Sequence, residues 1–194
     1  MLQVLTPPSA ALVNLDDAKV HLGVTGTDSD AIITSLIAAA SAAVTSHIGR
    51  PIGQGEYRET LRFDHMERAL PLSRWPVTSV TSIAEGDETL VASDFEVSTD
   101  DGLIHRLTDK GRYMCWPADV VVVEYEAGYA EIPADVQAAV LSVLSDTWGA
   151  RSRDAAMKAI SIGSIQLQYF DAAARNSLAA VAHLLEPYRI PMVG

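Results

Sequence analysis

Cysteine is almost missing from this chain. Cys115 stands alone among 194 residues, which excludes an internal disulfide and a cysteine-built metal site. Beside Trp116-Pro117 it reads as a partly buried structural thiol. A phosphate-cradling loop is also lacking, since Gly23 and Gly26 are followed by neither a third glycine nor a Lys-Ser/Thr pair. Gly163-Ser164 has no second glycine to build a nucleophile elbow. No apolar run approaches the ~18 residues that span a bilayer, because Ser, Thr and His interrupt even the Ala-rich segment 27–51. The opening MLQVLTPPSAALVNLDD has no basic start and no long apolar segment. A signal peptide is therefore not expected, and the chain is expected to be soluble and intracellular when made. There is no internal repeat and no low-complexity segment.

Metal and acid–base groupings are equally sparse. His21, His47, His65, His105 and His183 lie in unrelated segments. His183 and Glu186 are three apart, a spacing that needs a second pair to hold a metal, and none is present. Asp28 and Asp30 begin like a calcium loop, but its glycine and late glutamate are missing. Glu124/Glu126 and Asp100/Asp101 read as a solvated strand face and a turn rather than catalytic pairs. Neither a cofactor nor a metal is expected.

What the chain does have is acid. Its net charge is −11, and residues 51–130 hold fifteen acids against seven bases. Such a surface repels a phosphate backbone, so sequence-reading of nucleic acid is not expected. It suits either plain solubility or a wall along which DNA slides without sticking. At this length, roughly 70% of the unfolded surface can be buried, enough for a self-sufficient core.

The organising element is 27–51, TDSDAIITSLIAAASAAVTSHIGRP. Ile33, Ile37, Ala40, Val44 and Ile48 recur at helical spacing. Thr27 or Asp28 is placed to cap the start, Gly49 ends the helix and Pro51 stops it resuming. The small residues 38–43 allow other segments to approach closely from several sides. Before this spine, residues 1–13 read as a loop or extended arm, broken by Pro7-Pro8. Residues 14–23 read as a short helix capped by Asn14 and ended by Gly23.

Beyond Pro51 the pattern changes to strands at 57–63, 77–85, 89–91, 95–98, 103–106 and 120–125. Glu85-Gly86-Asp87-Glu88 and Thr99-Asp100-Asp101-Gly102 are hairpin turns. The Val120–Val123 run is the central strand, with Glu124 and Glu126 pointing outward. A second helix covers 133–149, with Pro133 at its first position and Val136, Ala139, Val140, Val143, Leu144, Thr147 and Trp148 inward. Residues 151–158 are polar, 159–169 alternate as an arm or hairpin, and a final helix covers about 172–186 before Pro187. The fold class is α+β. A helical core, with spine 28–49 packed on helix 133–149 and a C-terminal helix, carries an inserted small antiparallel β-subdomain. The divisions are 1–53, 54–127 and 128–194, in one folding unit overall. The apolar tail, Tyr188, Ile190, Met192 and Val193, either straps back on its own domain or anchors in a partner.

These pieces together resemble the tailed-phage head–tail connector (adaptor, or head completion) family, in the longer form found in siphophages and gene transfer agents. The resemblance is carried by Leu15–Leu22, by 30–51 ending Ile48-Gly49-Arg50-Pro51, and by Leu70-Pro71-Leu72 with Pro76–Val80. It continues through Val121–Tyr125, Ala127-Gly128-Tyr129, Ile132–Val136 and Leu184-Leu185-Glu186-Pro187-Tyr188-Arg189. It implies a structural virion protein and no enzyme. Members form a ring, commonly of twelve, under the portal in the virion neck, and are assembled in the host cytoplasm; they can be monomeric alone. The C-terminal region docks on the portal, while the other face receives the stopper or tail. DNA passes through without being read, and no membrane is involved. By this resemblance Leu184, Leu185, Tyr188, Arg189, Ile190, Met192 and Val193 would bind the portal. Glu124 and Glu126 would face the channel or a neighbouring subunit. The readings from other classes are a small hydrolase-like enzyme with an unrecognised site and a monomeric binding module.

Overall fold

The computed structural model describes residues 1–117, 119–157 and 178–189, without the side chains of 151–157. The chain forms two compact units. One takes residues 1–9 and 53–130, the other 10–52 and 131–194.

The first unit is built on strands. Its larger sheet has the order β1-β2-β9-β4-β5, from β1 (Leu2–Thr6), β2 (Gly55–Arg62), β4 (Val77–Glu85), β5 (Glu88–Thr89) and β9 (Val120–Ala127), with every pairing antiparallel. The Val120–Val123 run lies in the middle strand, as its apolarity requires. Val121, Val123, Tyr125 and Ala127 are buried on one face, while the alternate residues are half-buried on the other. A second sheet orders β3 (Ala69–Pro71), β7 (Leu103–Leu107) and β6 (Phe95–Ser98), with β8 (Tyr113–Met114) on β7. Both sheets contribute to one apolar core that includes Tyr57, Leu70, Ile83, Ile104, Trp116 and Tyr125.

Both expected hairpin turns form, with Glu85 opposite Glu88 and Ser98 opposite Leu103. Gly86 and Gly102 sit at φ 60° and 67° in those turns. The expected 89–91 strand is only Glu88–Thr89. Val91 instead precedes a 3-10 turn, Ala92–Asp94, in which the Asp94 carboxylate accepts from the Val91 N–H. Three strands escape a pattern reading: β1, β3 and β8 are five, three and two residues long. β1 exists because its backbone completes the edge of β2, as when Thr60 N–H donates to the Met1 carbonyl.

The second unit is helical. α1 (Leu15–Leu22) is capped by Asn14, whose side-chain oxygen accepts from Asp17 N–H at 2.8 Å, and it ends on left-handed Gly23. α2 (Asp30–Ile48) buries Ile33, Ile37, Ala40, Ser41, Val44 and Ile48 and packs against α1 and α3 (Ala134–Met157). Its start differs from expectation. Neither Thr27 nor Asp28 caps it through a side chain; a turn from Thr27 O to Asp30 N–H leads in. Lys19 of α1 binds both the Gly26 carbonyl and the Asp30 carboxylate, the latter at 2.7 Å, and this fixes the approach.

By length and mean hydropathy, 1.7, α2 is apolar enough to cross a membrane, contrary to the reading from its interruptions. Its buried stripe is occupied by other helices, as in the core helix of a globular unit. The small-residue middle has the expected use at one point, where Ser41 Oγ accepts from Leu12 N–H at 3.1 Å and Leu12 and Val13 are buried.

α3 begins one residue later than expected. Pro133 stands before it and its carbonyl accepts from Gln137 N–H. It also runs to Met157 rather than stopping at 149. Gly149 costs only about 1 kcal/mol in a helix, and no proline follows to break it. The final helix is described over 178–185. The 159–169 arm and residues 172–177 lie outside the described residues.

At Gly128, φ is 107° and an added Cβ would lie 2.3 Å from the Gly53 carbonyl oxygen. Gly86 also has positive φ but meets open space. Gly86→Ala should therefore cost about 1–2 kcal/mol, the penalty of a left-handed alanine. Gly128→Ala should cost clearly more, because backbone must shift as well. Urea denaturation of both variants checks this ranking.

Candidate functional site

The C-terminal end of the helical unit is the first surface of interest. Helix 178–185 closes on Leu185, which is fully buried. Pro187 then turns the chain into a 3-10 turn, Glu186–Tyr188. Tyr188 is held from two sides. Its carbonyl accepts from Arg50 Nε at 3.1 Å, and its hydroxyl donates to Asp135 Oδ2 at 3.1 Å. Arg50, two residues past the end of α2, is only 5% exposed, so its guanidinium needs such acceptors. Asp135 sits in the first turn of α3, where the helix dipole favours a carboxylate. The ends of three helices thus meet at one tyrosine.

This geometry sorts the residues assigned to portal contact. Leu185 is core and fully buried within the chain. Leu184, Tyr188 and Arg189 are half-buried. Arg189 pairs with Glu186 at 3.0 Å. Up to Arg189 the chain is a strap on its own unit; Ile190, Met192 and Val193 lie outside the described residues. Arg50 and Asp135 were missed by sequence reasoning. Arg50 was legible only as a basic residue after a helix stop, and its partner is 138 positions away.

The outer face of the larger sheet is the second surface. Opposite residues there pair as Glu56 with Glu126, Arg58 with Glu124, Thr60 with Val122 and Arg62 with Val120. Glu124 and Glu126 do point outward, but they differ. Glu124 is bound by the Arg58 guanidinium across the strand pair. Glu126 accepts a long bond, 3.3 Å, from Ser79 Oγ. Glu56 accepts from Thr6 Oγ1 at 2.6 Å on the same row.

A grouping that sequence alone did not suggest lies inside the β unit. Glu59 is 4% exposed and accepts from Ser73 N–H at 2.9 Å, from Ser73 Oγ, and from Tyr125 OH at 2.9 Å. Burial, reinforced by the Glu59 charge and hydrogen bond, pushes the Tyr125 hydroxyl well above the usual tyrosine range. Burial raises Tyr57 as well. Three donors satisfy a sealed carboxylate, so the cluster pins the 70–75 loop to the sheet rather than presenting a reactive group. A surface hollow of about 410 Å³ is lined by Arg62, Phe63, Asp64, Asp119 and Val120. It brings together no nucleophile and base. Among the described residues, no three His, Cys, Asp or Glu side chains are placed to share a metal.

Chains of solved gene transfer agent particles share this fold. The fold matches a chain in the neck of an empty gene transfer agent particle computed with C6 symmetry, with a TM-score of 0.63, 20% identity, and 100% of this chain and 97% of that one covered. It also matches a chain in the neck of the native particle computed with C12 symmetry, at 0.61, 18% identity and the same coverage. A chain of the native gene transfer agent virion matches at 0.58 and 22% identity, again over 100% of this chain and 97% of that one. No curated protein matches the sequence. The model of the head completion protein family matches residues 11–169, and the chain belongs to that family. It is a structural head–tail connector and not an enzyme.

The Tyr125 environment carries a sign. An unfolded tyrosine releases its proton near pH ~10, whereas the folded one holds it to higher pH. The resulting stability is complete below pH ~10 and is lost as the pH rises above it. Tyr125→Phe should flatten part of that alkaline decline in thermal stability, with Tyr57 supplying the remainder. At neutral pH it should cost about 1–3 kcal/mol, because Glu59 loses a donor. An unchanged alkaline slope would leave Tyr57 as its whole source.

Proposed function

We propose that the chain forms a ring, of twelve copies, in the neck of a tailed phage or gene transfer agent particle. It adds beneath the portal once the head is filled and receives the stopper or tail on its other side. The family match over 11–169 carries this reading. It is supported by likeness along almost the whole length of neck chains solved with C6 and C12 symmetry.

In this reading the portal contact is the tail that leaves the Tyr188 strap: Ile190, Met192 and Val193, with Arg189 and Leu184 at its root. The clamp by Arg50 and Asp135 supports it, because a fixed exit point lets a short apolar tail bind with little ordering cost. DNA passes the ring without being read. Glu126 is the acid on the outer sheet face best placed to act on it or on a neighbouring subunit, since Arg58 already offsets Glu124. Assembly takes place in the host cytoplasm.

Truncation after Arg189 keeps the buried Leu185 and the Tyr188 clamp, so the shortened chain should unfold like the full one. It should also fail to add to purified portal in sedimentation and electron microscopy. Equal addition by both forms would move the portal contact away from the tail. Glu126→Arg should leave stability within about 0.5 kcal/mol, as for an exposed substitution. It should lower the yield of DNA-delivering particles, or of complete rings; normal values of both would remove Glu126 from the function.

A further inference from the structure

Positive charge is scarce in the β unit and gathers at one projecting point. Residues 51–130 hold seven bases. Arg58 and Arg106 are bound by Glu124 and Glu85. Arg74 donates to the Ser73 carbonyl, and Arg62 and Arg68 flank Asp64 and Glu67 in sequence. The other two, Lys110 and Arg112, stand on the turn that joins β7 to β8, where Asp109 is the one acid. Both are exposed, and neither side chain has a partner among the described residues. The turn itself is built. Thr108 N–H donates to the Arg112 carbonyl at 2.9 Å, and Gly111 N–H to the Thr108 carbonyl at 2.8 Å. Arg112 N–H donates to Thr108 Oγ1 at 3.2 Å, and Gly111 supplies the positive φ of 67°.

The outer face of the larger sheet is the converse. Glu56 and Glu126 stand directly opposite each other on β2 and β9, a like-charge pairing that is unfavourable unless something offsets it. Arg58 offsets the neighbouring Glu124, but the Glu56–Glu126 row receives only the hydroxyls of Thr6 and Ser79. Within one copy the tip and this row are kept apart. Glu56 and Glu126 point away from the shared core, in which the adjacent Tyr57, Tyr125 and Ala127 are buried, whereas the tip extends the second sheet across that core. The two also lie at different ends of the strands. Arg106, near the tip, binds Glu85 at 3.0 Å, and Glu85 stands opposite Val121, five residues along β9 from Glu126. At ~3.4 Å per residue that is about 17 Å.

We propose that the Lys110–Arg112 tip of one copy docks on the outer sheet face of the next, at the Glu56–Glu126 row. The proposal rests on the ring reading and names the partner of Glu126 within it. Charge complementarity selects a second copy as the occupant. DNA would accept the tip but be repelled by the row, whereas a second copy uses both. Each copy carries one tip and one row on opposite sides, which makes the contact head-to-tail, the type that closes into rings. Chains that each carry −11 repel, and setting two cations on two opposed carboxylates lets them approach in one register only.

Two full-length variants test this. Glu56→Lys with Glu126→Lys reverses the row, and Lys110→Glu with Arg112→Glu reverses the tip. None of these side chains is buried, so each variant should melt like wild type. Each alone should give at least tenfold fewer complete rings on purified portal, because like charges then meet at every contact. Mixed one to one, the variants should restore rings to within about twofold of wild type. Reversed tip then meets reversed row and unreversed tip meets unreversed row, an alternation that an even-numbered ring accommodates. In wild-type rings, carbodiimide should join Lys110 to Glu56 or Glu126 of another copy, told from a link within one chain by mixing isotope-labelled and unlabelled protein. Folded variants that close rings alone, a mixture that is not rescued, or intact rings without the cross-link would overturn the proposal and leave the connector reading standing. Tip-reversed rings that close normally yet deliver less DNA would assign the tip to DNA and also overturn it. If wild type does not add to portal, the connector reading fails, and the same cross-link sought in concentrated free chain decides the tip contact.

Discussion

The β unit depends on one strand being hydrogen-bonded on both sides. β9 pairs along its full length with β2 and, less regularly, with β4. Its valines and Tyr125 supply the floor of the core that both sheets share. Two-sided pairing gives backbone partners on both edges to the most apolar strand of the sheet, which is what allows it to be buried. The sealed Glu59 works in the same direction. It ties Tyr125 of β9 to Ser73 in the segment leading from the second sheet back to the first. Removing one donor leaves a carboxylate that burial makes unfavourable, so this polar point fixes the register of an otherwise apolar interior.

In the helical unit the corresponding role belongs to the end of the chain. Arg50 and Asp135 flank the inserted β unit in sequence and converge on Tyr188. The tail is thereby rooted where α2 ends and α3 begins. The clamp holds the chain at Tyr188. The acidity of residues 51–130 is likewise arranged rather than diffuse, with Glu124 offset by Arg58 and Glu85 by Arg106, and Glu56 and Glu126 left on the outer row.

Much of this was legible in the residues. Apolar spacing placed α2 over 28–49 against the observed Asp30–Ile48, and alternation placed β4 and β6 to the residue. The valine run located the centre of the sheet. Asn14 and Gly23 bounded α1 because capping is a local interaction, written within four residues. What escaped was non-local. β3 and β8 are too short to show a period, β1 is exposed along most of its length and so carries no apolar alternation, and all three exist because a neighbouring strand offers them partners. The continuation of α3 past Gly149 escaped because a polar stretch resembles an end, whereas only a proline would have forced one. At the site, the acids facing outward were visible as alternation. Their ion pairs, the Glu59 cluster and the Arg50–Tyr188 bond were not, since each joins residues at least 14 positions apart.

The placement of β9 also sets an order of events during synthesis. β1 and β2 leave the ribosome with the other edge of β2 unpaired, and the strand that must cover it, β9, begins 58 residues after β2 ends. At ~5–20 residues per second this is a wait of roughly 3–12 s. The helical unit waits as well, because α3 follows β9 and closes last. Nascent chains on neighbouring ribosomes of one message therefore hold unpaired strands of identical sequence close together. The acidity of the segment in between gives those chains a mutual repulsion over that interval, so the charge keeps unfinished copies apart while their strands are unpaired.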